Sequence, residues 1–243
     1  MILPALLYAA GMLAVHRKGS WWPTERAACW MAGVLAASLA VHGPLAAAAH
    51  HDVAAHTVAH LLLGMTAPLL LVLGAPVTLA LRALPVPQAR ALSHLLRSRP
   101  VRVVTHPVTA AVLNAAGLWA IYLTGLHRAT GLVQLHILAS GYLFTAAIIG
   151  VDPAPHRPGR TVRAAALIGF LAAHGILAKY LGSPLMYYGG DAIDLVLIVL
   201  FCREWYQAAD PHHRRSRRIP GTRPPRVPWR LPDELRTAGG RSS

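Results

Sequence analysis

Acidic side chains are scarce in this chain. Nine Asp and Glu stand against 23 Lys and Arg, and the four charged types together make up only 13% of the 243 residues. Soluble domains keep about a quarter of their residues charged. Here 55% of the residues are hydrophobic and the mean hydropathy is +0.45. That balance excludes an ordinary soluble fold and points to a chain built for the bilayer.

Cysteine is nearly absent too. Cys29 and Cys202 stand alone, outside any Cys-x-x-Cys pair, so neither a disulfide framework nor a thiolate metal knot is available. No basic residue precedes the first apolar run, MILPALLYAAGMLAV, which therefore reads as a membrane helix and not as a cleaved signal. Catalytic arrangements are missing as well: there is no phosphate-binding glycine loop and no Ser-His-Asp order, and no soluble domain to host either. His56-Thr57-Val58-Ala59-His60 has the spacing of a zinc protease helix, but Thr57 stands where the general-base Glu is required. Nothing in the sequence calls for an enzyme. The basic excess lies between apolar runs and in the tail, without a recognition fold, which excludes nucleic acid and suits anionic lipid.

What is present is a succession of apolar runs at 1–15, 27–49, 53–81, 107–124, 132–150, 163–181 and 188–205. These predict an all-α, polytopic bundle of about seven transmembrane helices over residues 1–206. Pro68 and Pro76 inside the third run imply a kink, tolerable where neighbouring helices cover the freed carbonyls. Residues 87–98 alternate Ala89, Leu92, Leu95 and Leu96 with Arg90, His94 and Arg97, which suits a short helix lying on the membrane surface. Residues 207–243 are rich in Arg and Pro and are expected to be a disordered tail held near anionic lipid.

The loops set the orientation. Arg17, Lys18 and Arg26 occupy the first connection, Arg82, Arg90, Arg97, Arg99 and Arg102 the third, and Arg157, Arg160 and Arg163 the fifth. The second and sixth carry no Lys or Arg and the fourth only Arg128. The positive-inside rule then predicts an outside N-terminus and a cytoplasmic C-terminus.

Given that orientation, a rise of about 1.5 Å per residue converts position into depth. His56, His60, His136 and His174, with Asp191 and Asp194, all fall within about 10 Å of the outer surface, and His42 belongs to the same layer. Ionisable residues inside a membrane usually face the bundle interior and mark a site. His56 and His60 share a helix face, as do Asp191 and Asp194. Imidazoles and carboxylates converging from several helices suit a transition metal such as copper, zinc or iron. Blander readings stand beside this one: Asp191 paired with Lys179, Met12 and Met65 as packing, and Cys29 and Cys202 as inert thiols near the inner face. Bis-histidine haem ligation, and hence a b-type haem protein, is a further alternative.

The run AHTVAHLLLGMTAPLLLVLGAPVTLALRALP (55–85) resembles the signature helix of the CtaG family, polytopic bacterial assembly factors of caa(3)-type cytochrome c oxidases. THPVTAAVLNAAGLWAIYLTGLH (105–127) and LHILASGYLFTAAIIGVDPAP (135–155) look like that family's next two helices. In the family pattern a methionine follows the first histidine of the signature helix, whereas this chain has Thr57. Many members carry Asp-Gln on the last helix, whereas this chain has Asp191-Ala-Ile-Asp194. The resemblance implies a multi-pass protein of the bacterial plasma membrane that acts without substrate turnover. Its partner would be the oxidase catalytic subunit, and its cargo copper for the copper-B centre. In some actinobacterial relatives a similar domain is fused to a CopD-like copper-resistance domain. A copper importer is the remaining alternative.

Overall fold

The computed structural model describes residues 2–124 and 131–209. The basic tail from residue 210 onward and Arg128 of the fourth connection lie outside them. Contacts divide the chain into Met1–Trp205 and Tyr206–Ser243, and the candidate site belongs wholly to the first unit.

Among the described residues every regular element is helical. The order is α1 (Ile2–Arg17), α2 (Thr24–Val41), α3 (Pro44–Ala48), α4 (Val53–Leu61), a π-helical turn (Leu62–Thr66), α5 (Ala67–Leu73), α6 (Pro76–Ala83), α7 (Val86–Leu96), α8 (Arg99–Val104), α9 (Pro107–Leu123), α10 (Gly131–Ile149), α11 (Arg160–Tyr180) and α12 (Pro184–Ala209). Five stretches are long and apolar enough to cross a membrane: Thr24–Ala48, Val53–Ala83, Gly131–Ile149, Arg160–Tyr180 and Pro184–Gln207. The other two apolar runs, α1 and α9, are helical but shorter, at 16 and 17 residues. The surface segment at 87–98 is also helical, as α7, with Leu95 and His94 both exposed.

The long third run is broken twice, where its prolines predict. Pro68 has no N–H to give the Gly64 carbonyl, and the turn before it widens, so that Ala67 N donates to Leu62 O. Gly141 of α10 lies against the Gly64 carbonyl so closely that a Cβ there would collide with it. The neighbouring helix thus covers the freed carbonyl with its own backbone.

At the second break Ala75 adopts a left-handed conformation (φ 50°, ψ 55°) ahead of Pro76. Tyr8 Oη of α1 donates to Gly74 O at 2.7 Å and accepts from Trp22 Nε1 at 3.0 Å. The short helix that follows, α6, is held at both ends. Asp152 accepts from Val77 N (3.2 Å), Thr78 N (2.8 Å) and Thr78 Oγ1 (2.6 Å). Lys18 Nζ donates to the carbonyls of Arg82, Ala83 and Leu84 at 2.8–3.0 Å. A carboxylate at the start of a helix and an ammonium at its end satisfy the orphan groups and match the helix dipole.

The main core joins α5, α9, α10, α11 and α12 through Leu69, Ala110, Phe144, Ile148, Leu167, Phe170, Leu197 and Phe201. At one end of it Arg163 is buried. Its Nε donates to Ile148 O at 2.9 Å, its Nη2 lies 2.5 Å from Glu204, and its guanidinium sits 5.0 Å from the Phe201 ring centre. Arg157 reaches the same Glu204 at 2.8 Å. Burial, and after it the Arg163 charge, pull the Arg157 pKa below its ordinary value, with Glu204 opposing.

Candidate functional site

The site begins at the turn before α4. Both carboxylate oxygens of Asp52 accept backbone bonds, from Ala54 N at 3.1 Å and Ala55 N at 3.0 Å. This N-cap fixes where the helix starts, and the four-residue spacing then lays His56 and His60 on one face. Tyr122, near the end of α9, stands edge-on to both rings, with centroids 6.1 Å from His56 and 6.0 Å from His60. Its Oη lies 3.3 Å from His56 Nε2.

His60 is buried. His174 comes from α11 and is buried against α12, where Asp194 Oδ2 lies 3.7 Å from its Nδ1. That distance is too long for a hydrogen bond, but it turns Nδ1 toward the carboxylate. His174 Nε2 is buried without a hydrogen-bond partner, and Phe170 stacks parallel to the ring at 5.8 Å.

Glycines make room for these rings. A Cβ on Gly190 would come within 2.6 Å of His174 Cε1. A Cβ on Gly117 would overlap His136 Nε2 outright. The imidazoles of His136 and His174 therefore occupy the space a side chain would fill on a facing helix turn.

A cavity of about 810 Å³ opens over the first histidines and is lined by His50, His51, Asp52, His56, His60 and Tyr122 among others. A second, of about 20 Å³, lies further along the same helices among Met65, Asn114, Thr145 and Asp194. That is room for one water-sized occupant. Ser140 Oγ contacts Asn114 Oδ1 at 3.4 Å beside it.

Of the residues expected from the sequence, His56 and His60 are joined through Tyr122, and His174 and Asp194 stand together from α11 and α12. His136 faces α9 at Gly117, with its Nε2 likewise buried and unpartnered. Asp191 is exposed, and His42 is an exposed residue ending α2. Among the described residues no three His, Cys, Asp or Glu side chains come together as a ready metal ligand set, and no ion pair joins Lys179 to Asp191. Met65 lines the inner cavity, while Met12 packs beside Tyr8 and Trp22. Sequence reasoning missed Tyr122, Asn114 and the glycines. The spacing along α9 would have reached Tyr122, which lies in the last turn of that helix. Nothing in the sequence marks the glycines as receptors for rings.

The family described as cytochrome c oxidase caa3 assembly factor matches over residues 6–183. An uncharacterized protein of Mycobacterium bovis and one of Mycobacterium tuberculosis are each 39% identical to the chain over 199 residues, 75% of this chain and 30% of theirs. An uncharacterized protein of Mycobacterium leprae is 34% identical over 181 residues, 69% of this chain and 28% of its own. The chain thus spans under a third of the length of these curated relatives. No solved structure matches significantly.

Proposed function

The chain belongs to the family of caa3 cytochrome c oxidase assembly factors, and on that premise we propose that it holds copper as cargo and helps deliver it to the copper-B centre of the oxidase catalytic subunit. It works in the bacterial plasma membrane as a seven-span bundle, N-terminus outside and C-terminus inside. α1 and α9 complete the seven, at about 24–26 Å of helix each. Short spans of this kind are accommodated by local thinning of the bilayer.

One observation carries the copper reading. His174 presents a buried, unpartnered Nε2 while its Nδ1 is turned to Asp194. Histidines that ligate metals are commonly backed by a carboxylate in this way. His56 and His60 line the large cavity from one helix, so the further donors are imidazoles, which suit copper. Completing a three-ligand site takes a helix movement, and a site that closes and opens by such movements suits a carrier that must release its cargo. The protein needs no catalytic turnover for this.

Packing favours a bare ion over haem. The ring of His136 lies with its Nε2 directly against Gly117, which leaves no slot for a flat macrocycle beyond it. The distribution of charge favours anionic lipid as the contact of the basic tail.

The test is metal analysis of the purified protein in detergent. Copper without a Soret band is the expected result, and His60→Gln should lose the tightly held copper while His94→Gln, exposed on α7, keeps it. Full copper in His60→Gln, or a strong Soret band in the wild type, would overturn the reading.

A further inference from the structure

The mouth of the large cavity carries a second pair of histidines that the inner site does not use. His50 and His51 are both exposed and both line the cavity that leads to His56 and His60. We propose that this pair is an outer metal station, a two-nitrogen site that takes up Cu(I) at the mouth and passes it inward; the inference rests on the copper reading above.

Geometry supports it first. The two imidazole centroids are 6.4 Å apart, with the rings inclined at 60°. Two imidazoles sharing one ion through bonds of about 2 Å hold their centroids about 6 Å apart when the ion lies nearly in line between them. The turn that carries them is fixed by backbone bonds, His50 N to Ala47 O at 3.3 Å, His51 N to Ala48 O at 3.0 Å and Asp52 N to Ala48 O at 2.9 Å. The backbone that carries the pair is therefore set before any ion arrives.

The surrounding chemistry narrows the ion. The adjacent carboxylate, Asp52, already directs one oxygen to Ala54 N and the other to Ala55 N. The donors at hand are then nitrogens, which disfavours magnesium and calcium, both seekers of oxygen. No third His, Cys, Asp or Glu joins the pair among the described residues, which favours an ion content with two ligands. Cu(I) is such an ion.

The path inward is short. His56 follows the turn by one helical turn and His60 by a second, each step about 6 Å along the axis. An ion can move by exchanging one imidazole for the next, with no change of its charge and no proton lost from a neutral donor. An outer station also raises the local concentration of cargo at the cavity, as tethering does for any second binding event.

The experiment uses the full chain in detergent and Cu(I) supplied anaerobically, with a chromogenic Cu(I) chelator as competitor. Three proteins are compared: wild type, the outer variant His50→Gln/His51→Gln, and the inner variant His60→Gln/His174→Gln. The wild type should bind a tight and a weaker ion. The inner variant should keep the weaker one alone. The outer variant should keep the tight ion but load it roughly tenfold more slowly. An outer variant that loads at the wild-type rate with wild-type stoichiometry overturns the outer station. Wild-type tight binding in the inner variant overturns the inner site instead, so the two failures are told apart.

Discussion

The imidazole of His136 on α10 fills the volume that any side chain at position 117 on α9 would need. The relation is steric before it is chemical. It lets α9 and α10 pack closely around a polar ring, and it explains why a glycine sits in the middle of an otherwise favourable helix, where it weakens the helix by about 1 kcal/mol relative to alanine.

Gly117→Ala should therefore destabilise the bundle by about 1–3 kcal/mol, the usual cost of overfilling a packed interior. Gly169→Ala on α11 is the control, because a Cβ there meets nothing, and helix propensity alone should make it neutral or slightly stabilising. Thermal unfolding of the two variants in detergent separates them. Equal midpoints for both would show that His136 swings aside freely and that the fit is not structural.

The cluster at the other end of α11 makes a different prediction. Arg163 is only 3% exposed, and Glu204 is the carboxylate that partners it. Glu204→Gln would leave a buried guanidinium with the Ile148 carbonyl and the Phe201 face but no counter-charge. Since Glu204 is itself a third exposed, water and Arg157 soften the loss, and about 2 kcal/mol of stability should go. Arg157→Gln, which removes the outer partner alone, should cost well under 1 kcal/mol. Chemical unfolding in mixed micelles would rank the two, and the reverse order would mean that Arg157 is the principal partner.

Topology can be checked without any metal. The arginine-bearing connections predict that Ser183→Cys, in the turn before α12, is labelled by an impermeant maleimide on intact cells. A C-terminal reporter active only in the cytoplasm should work. Labelling of Ser183→Cys only after lysis would reverse the depth argument from which the histidine layer was read.

The sequence speaks to the axial placement of residues along this structure and not to the angular one. Rise per residue gives an expected depth, so the sequence alone proposes one level for His56, His60, His136, His174, Asp191 and Asp194. Which way each side chain points depends on the face a helix turns inward. α10 is apolar on all sides, so its sequence contains no such face, and His136 went unassigned to Gly117. Asp191 and Asp194 show the same limit: three residues apart, one is exposed and the other buried. The breaks in the third run were legible because Pro68 and Pro76 act on their own helix. Their partners were not, since Tyr8 is 66 residues from Gly74 and Asp152 is 74 from Thr78, and no local rule connects such distances.

The pairing of His174 with Asp194 gives the sharpest division between a metal site and simple polar packing. If Nε2 binds copper and Asp194 only orients the ring, the two residues should not be equivalent. His174→Gln removes a ligand and should abolish tight copper binding. Asp194→Asn keeps the shape but weakens the backing of Nδ1, and loss of such an outer partner costs about 10–100-fold in metal affinity. Gly190→Ala, which forces the ring off its present seat, should fall between these two, with the ligand retained but misplaced. Cu(I) affinities measured by chelator competition would give the order, each variant first shown to be folded by its helical circular dichroism. Were all three to keep wild-type affinity while losing thermal stability, His174 and Asp194 would be polar glue between α11 and α12, of the kind that holds many membrane helices together.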